Sequence, residues 1–172
     1  MFLRREILAV EKEGVEVGRW RIRRSIEPLV DAFDVEEATR IHGLLDAGWW
    51  EMVHGILRAS RTRPGGFLHA LRHAVRSGFS LERSILWHLA YLARACLLVG
   101  WAARERLRRV HAHFGTQSTT VAMLCHELGG PAYSFTGHGL EEFDDAPRLG
   151  LREKIDRATA GAASERPVPA SN

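Results

Sequence analysis

Residues 110–136 constrain the fold more than any other stretch. Val110–Phe114 is a short apolar run that follows a helix-like segment directly, as a buried strand would. TQSTTVAMLCHELGG, starting at Thr116, then reads as a helix. Thr116 or Ser118 is placed to cap its N-terminus through a side-chain oxygen, and Gly129 and Gly130 to end it. PAYSFTGHG follows, with a strand expected over 132–136 that runs into a glycine-flanked loop. Strand, helix, strand in this order is a βαβ crossover, so the two strands should be parallel with a right-handed connection.

That topology has a chemical consequence. Parallel strands bring their C-terminal ends to one sheet edge, and open α/β folds bind ligands just outside it. Two loops should meet there: the one through His113, Gly115 and Thr116, and the one through Gly137, His138 and Gly139. The first also opens a helix, whose free backbone N–H groups suit an anion or a sugar hydroxyl. The glycines let a ligand approach the backbone closely. His111 and His113 alternate along the strand and share a face. His111, deeper in the strand, is read as a hydrogen-bonded structural residue. His113 stands level between site and structure, and His138 is read as the ligand-contacting or catalytic histidine. The other six histidines fall on expected helices and are read as packing or surface residues.

Two other chemistries compete for the same residues. The HxH pair with His138 and one of Glu141, Glu142 or Asp144 offers nitrogen and oxygen ligands to a metal, as in HxH metal-dependent hydrolases. No further ligand-spaced carboxylate or histidine follows, so no metal is assigned. A serine triad lacks its G-x-S-x-G elbow, and neither a P-loop nor G-x-G-x-x-G is present.

The rest of the chain alternates helices and strands, which favours an α/β class. Helices are expected over 2–14, 35–59, 66–77 and 148–159, and one long helix or two abutting ones over 81–107, with a strand over 15–24 kinked near Gly18 and a loop over 25–34. TRPGG, from Thr62, is read as a breaker. One domain over 1–159 and a disordered tail over 160–172 are expected, the tail being small, polar and proline-containing. Of 24 cationic residues 22 are arginine, a bias that base composition of the genome explains as well as function does. Residues 58–109 carry 11 basic against 2 acidic residues, a net +9, while the flanking segments are each −3. Such a block can draw anionic lipid or phosphate-bearing ligands; nucleic acid is not expected as a partner. Residues 85–103 are the most apolar stretch, but His88 and Arg94 interrupt it, so a buried helix or one lying on a membrane surface is expected rather than a span. Cys96 and Cys125 have no metal spacing and sit in apolar surroundings, which fits a reducing cytoplasm.

HAHFGTQSTTVAMLCHELGGPAYSFTGHGLEEFD resembles the N-terminal half of family 4 glycosyltransferases of the GT-B fold, nearest to bacterial exopolysaccharide enzymes of the colanic acid type. In that family H-A-H-F precedes a helix and S-F-T-x-H-G follows on the next strand. The likeness extends over about residues 2–158. It implies a Rossmann-like parallel sheet flanked by helices, forming the acceptor-side domain, and retaining transfer from a nucleotide sugar without an obligatory metal or other cofactor. It places His138 at the reacting sugar, with His113, Gly115, Thr116, Gly137 and Gly139 lining the substrate. The partner would be a sugar or lipid-linked saccharide acceptor, reached from the cytoplasmic face of a membrane through residues 58–109. The family's first strand has no counterpart before Phe2, and its donor-binding domain has none after Ala158. The resemblance therefore implies a fragment without turnover by itself, or an acceptor-binding module that pairs with a separate donor domain.

Overall fold

A computed structural model describes residues 2–22, 41–43, 48–80, 84–137, 142, 144–158 and 163–164. The chain divides into two compact units, 1–47 and 48–172.

In the first unit, α1 (Phe2–Lys12) ends at Gly14, whose φ of +80° is open to glycine without strain. Strand β1 (Arg19–Arg21) pairs in parallel with β2 (Ile41–Gly43). The strand expected over 15–24 is corrected: 15–18 are not paired and the strand begins at Arg19, just after Gly18, where the Trp20 ring lies so close that a Cβ would sit 2.5 Å from Trp20 Cη2. Arg19 is buried and donates to Glu11 Oε1 at 2.6 Å. The helix expected over 35–59 is corrected here. Residues 41–43 are extended, and the helix begins only at Trp49. Local helical spacing there yields to pairing with β1, a non-local contact that periodicity cannot register. The expected loop over 25–34 lies outside the described residues.

The second unit opens with α2 (Trp49–Thr62), α3 (Pro64–Ser80) and α4 (Ile85–Arg104). The break at TRPGG is confined to Arg63, which leaves the helical region at φ −140° ahead of a proline. Pro64 then occupies a first helical position, where its missing N–H costs nothing. So α3 starts two residues before the expected boundary. Gly66 lies inside α3 because a Cβ there would meet the Glu127 carbonyl at 2.9 Å. α4 is the central helix of the unit, packed on α2, α3 and the later helix Gln117–Glu127, with Tyr91, Leu92, Ala95, Cys96, Leu97 and Leu98 buried. It is long and apolar enough to cross a membrane, and 56% of its most apolar window is buried within the structure.

Next come β3 (Arg109–His113), α5 (Gln117–Glu127) and β4 (Ala132–Gly137). β3 and β4 are parallel, Arg109 opposite Ala132 and His113 opposite Thr136. The strand–helix–strand reading thus matches the structure, with shifts of a residue at its ends. α6 (Ala146–Leu149) and α7 (Leu151–Arg157) replace the single helix expected over 148–159, because Gly150 adopts φ +61° between them. β5 (Ala163–Ser164), inside the stretch expected to be a disordered tail, pairs in parallel with Thr136–Gly137. The chain is a mixed α/β protein with small parallel sheets.

One face of β3–β4 forms a core. Ala112, Tyr133 and Phe135 pack with Ala122 and Met123 of α5 and Leu151 of α7. Cys96 and Cys125 are buried free thiols whose pKa values burial pushes up to about 12, so neither is a ready nucleophile.

Candidate functional site

The second face of β3–β4 is polar. His111 and His113 project from β3, their ring centroids 4.9 Å apart and edge to face. His111 spans two positions of the neighbouring strand. Its Nδ1 lies 2.9 Å from Ser134 Oγ and its Nε2 3.1 Å from Thr136 Oγ1. The expected hydrogen-bonded role of His111 is therefore met, although the residue is exposed rather than deep. His113 is half-buried at the C-terminal end of β3, the sheet edge at which a ligand site is expected.

Beyond His113 the backbone turns sharply. Phe114 has φ +70°, a left-handed conformation that is strained for a bulky residue. Its N–H extends the ladder to the Thr136 carbonyl at 2.8 Å, and its ring stays exposed. The turn carbonyls point at the start of α5. Ser118 Oγ donates to the His113 and Phe114 carbonyls, and Thr119 Oγ1 to the Phe114 carbonyl at 2.6 Å. These hydroxyls serve carbonyls, so the expected side-chain cap by Thr116 or Ser118 is corrected: no side chain caps α5. The reason is the Phe114 conformation, which leaves acceptors rather than donors facing the helix start.

The turn is covered by the chain itself. The Gly115 N–H donates to both Glu142 carboxylate oxygens at 3.1 Å. Lys154 Nζ donates to the Gly115 carbonyl at 2.8 Å and the Thr116 carbonyl at 3.0 Å. A Cβ on Gly115 would lie 2.7 Å from Leu151 Cδ1. The close approach that Gly115 permits is thus made by α7, and the N–H expected to be free holds a carboxylate of this chain. Lys154 is 3% exposed. Desolvation lowers its pKa from 10.5 to about 8, with the Glu142 charge opposing that shift.

Of the other anticipated residues, Thr116 occupies the position just before α5, and Gly137 ends β4 opposite Ser164. His138 and Gly139 lie outside the described residues. The structure brings His113, Gly115, Thr116 and Gly137 to one sheet edge through the β3–β4 register. Of the three carboxylates offered for the metal alternative, Glu142 accepts from the Gly115 amide. Among the described residues no group of three His, Cys, Asp or Glu side chains is arranged to hold a metal ion.

A second polar cluster lies at the far end of α5. Glu127 Oε1 accepts from Arg157 Nη1 and lies 2.6 Å from His73 Nδ1. Arg157 Nη2 donates to Glu153 Oε1 at 2.9 Å, and His73 Nε2 lies 3.4 Å from Glu153 Oε2. His69 Nδ1 stands 3.6 Å from Glu127 Oε2. Nearby, Arg63 Nη1 donates to the Leu128 and Gly129 carbonyls, placing a cation where the α5 dipole is negative.

Sequence reasoning misses Lys154, Glu142 and this cluster. Two signals point to them. Lys154 is one of only two lysines in an arginine-rich chain, and it shares a short helix with Leu151 and Ile155. Glu127 ends a helix, where an acid is electrostatically unfavourable unless paired. Comparison with protein-family models, with curated proteins and with solved structures finds no match for this chain.

Proposed function

We propose that the chain is the acceptor-side domain of a family 4 glycosyltransferase with the Rossmann-like half of a GT-B fold, acting in surface polysaccharide synthesis. The observation that carries the reading is the parallel β3–α5–β4 unit, whose register sets His113 level with Thr136 at the C-terminal sheet edge. In this reading His113 holds a saccharide hydroxyl at that edge, and His138 acts on the reacting sugar as the resemblance implies. The donor nucleotide sugar needs a second domain, because transfer requires donor and acceptor to be positioned together. Purified chain should therefore bind saccharide without turning over any nucleotide sugar. In a titration with a panel of mono- and disaccharides followed by imidazole NMR, at least one member should shift His113 and His138, and His138→Ala should weaken that binding. Sugar transfer by the isolated chain, or no imidazole shift with any saccharide, would overturn the reading.

The acceptor partner fits a lipid-linked saccharide at the cytoplasmic face of an anionic membrane. α2 and α4 run side by side in the same direction, Gly55 against Cys96–Leu97 and Thr62 near Ala103, while α3 returns with Gly78 against Ile85. The starts of α2 and α4 and the end of α3 therefore share one end. Trp49, Trp50, Phe79, Leu86 and Trp87 are all exposed there. Trp at such a position suits the headgroup layer, and the arginine-rich 58–109 segment supplies positive charge. Co-flotation with phosphatidylglycerol vesicles, reduced by Trp49→Ser with Trp87→Ser, is expected; equal flotation of wild type with neutral and anionic vesicles would refute the charge contribution.

A further inference from the structure

The cluster at the end of α5 closes on itself. His73 of α3, Glu127 of α5, and Arg157 and Glu153 of α7 form a ring of alternating acids and bases. Its inner members are deeply buried, His73 and Glu127 side chains being 7% and 5% exposed, while Arg157 and Glu153 are partly exposed. One link is only half made. His73 Nδ1 meets the Glu127 carboxylate, but His73 Nε2 is buried without a hydrogen bond, 3.4 Å from a Glu153 oxygen.

This geometry responds to a proton. A neutral imidazole has one N–H, and Glu127 takes it, so the Nε2 lone pair then faces a carboxylate. An imidazolium has two N–H groups and donates to both acids. Protonation thus converts the weak link into a charge-assisted hydrogen bond. The surrounding charged groups are His69 on α3, Glu127 on α5, and Glu153 and Arg157 on α7. The ring holds α7, and α7 covers the sheet-edge turn through Leu151 and Lys154. Tyr133 Oη further ties β4 to the Lys154 carbonyl at 2.7 Å.

We propose that the ring is a proton-operated clasp that holds α7 as a strap over the β3–α5 turn. Protonation of His73 tightens the strap over Gly115 and Thr116, and deprotonation loosens it. The proposal holds whichever ligand the turn takes.

Amide hydrogen exchange on the full chain tests this, read as protection factors so that the intrinsic pH dependence divides out. At pH 5.5 the amides of Gly115, Lys154 and Ala158 should be about tenfold better protected than at pH 7.5, with buried α4 amides unchanged. His73→Gln should abolish that difference. Should His73→Gln lose protection throughout α4, and so fail to fold, Glu153→Gln decides, since it removes the charge of the half-exposed partner of the weak link while leaving an amide oxygen to accept from Arg157. Loss of the pH difference in Glu153→Gln supports the clasp. Equal protection at both pH values in wild type, or a pH difference that survives in Glu153→Gln, overturns it.

Discussion

The two faces of the β3–β4 sheet differ in what holds them. One face is apolar and closed, with Ala112, Tyr133 and Phe135 packed under Ala122, Met123 and Leu151. The other carries His111, His113, Ser134 and Thr136, with His111 hydrogen-bonded to both hydroxyls. Stability resides in the first, because removing apolar area from water contributes more free energy, while an exposed hydrogen bond exchanges one partner for water at little net gain. The polar face is therefore free to carry chemistry. Between them, at the strand ends, Lys154 and Glu142 form a third environment: charged, buried, and bonded to backbone.

The sharpest test of the contrast is Phe135→Ala, which should cost about 3–5 kcal/mol through lost burial and a residual cavity. Denaturant unfolding measures it, and a loss below about 1 kcal/mol would mean that the core lies elsewhere. The charged boundary comes next. The unfolded chain keeps the Lys154 proton up to pH 10.5, whereas the folded chain releases it near 8. The unfolded state then binds more protons across that interval, so stability rises with pH, by about 2 kcal/mol between about pH 7.5 and 9.5. Tyr133, pushed up by burial, works in the opposite direction above that range. Urea midpoints at the two pH values should show the rise, and Lys154→Met should flatten it; a rise of the same size in the variant would assign it to another group. Smallest of all, His111→Ala should cost under about 1 kcal/mol. A loss approaching that of Phe135→Ala would erase the distinction between the faces.

Legibility follows the range of the interaction. The β3–α5–β4 unit can be read because its signals are local: an apolar run, a glycine-ended helix, a second apolar run with glycines. Proline and glycine likewise mark the break at Arg63 and the end of α1. β2 cannot be read, because residues 41–43 are extended through their pairing with β1, about 20 residues earlier. Glycines make the sheet edge look open in the sequence, with room for a ligand. In the structure the room beside Gly115 is taken by Leu151, which comes from a helix 36 residues further along the chain. The ring through His73, Glu127, Glu153 and Arg157 joins three helices, and nothing in the spacing of His73 within α3 announces a carboxylate partner 54 residues away.

By itself, then, the sequence determined the order of elements around the histidine motif, the parallel sense of its strands, the shared face of His111 and His113, and the apolar character of α4. Each follows from periods of two or 3.6 residues and from turn chemistry, which are properties of neighbouring residues. Only the tertiary structure decided which N–H groups and carbonyls at the strand ends are covered, which lysine is buried, and which histidine is paired with acids. Those outcomes depend on distances between segments remote in the chain, and they exist only once α7 is seated on the β3–α5 turn.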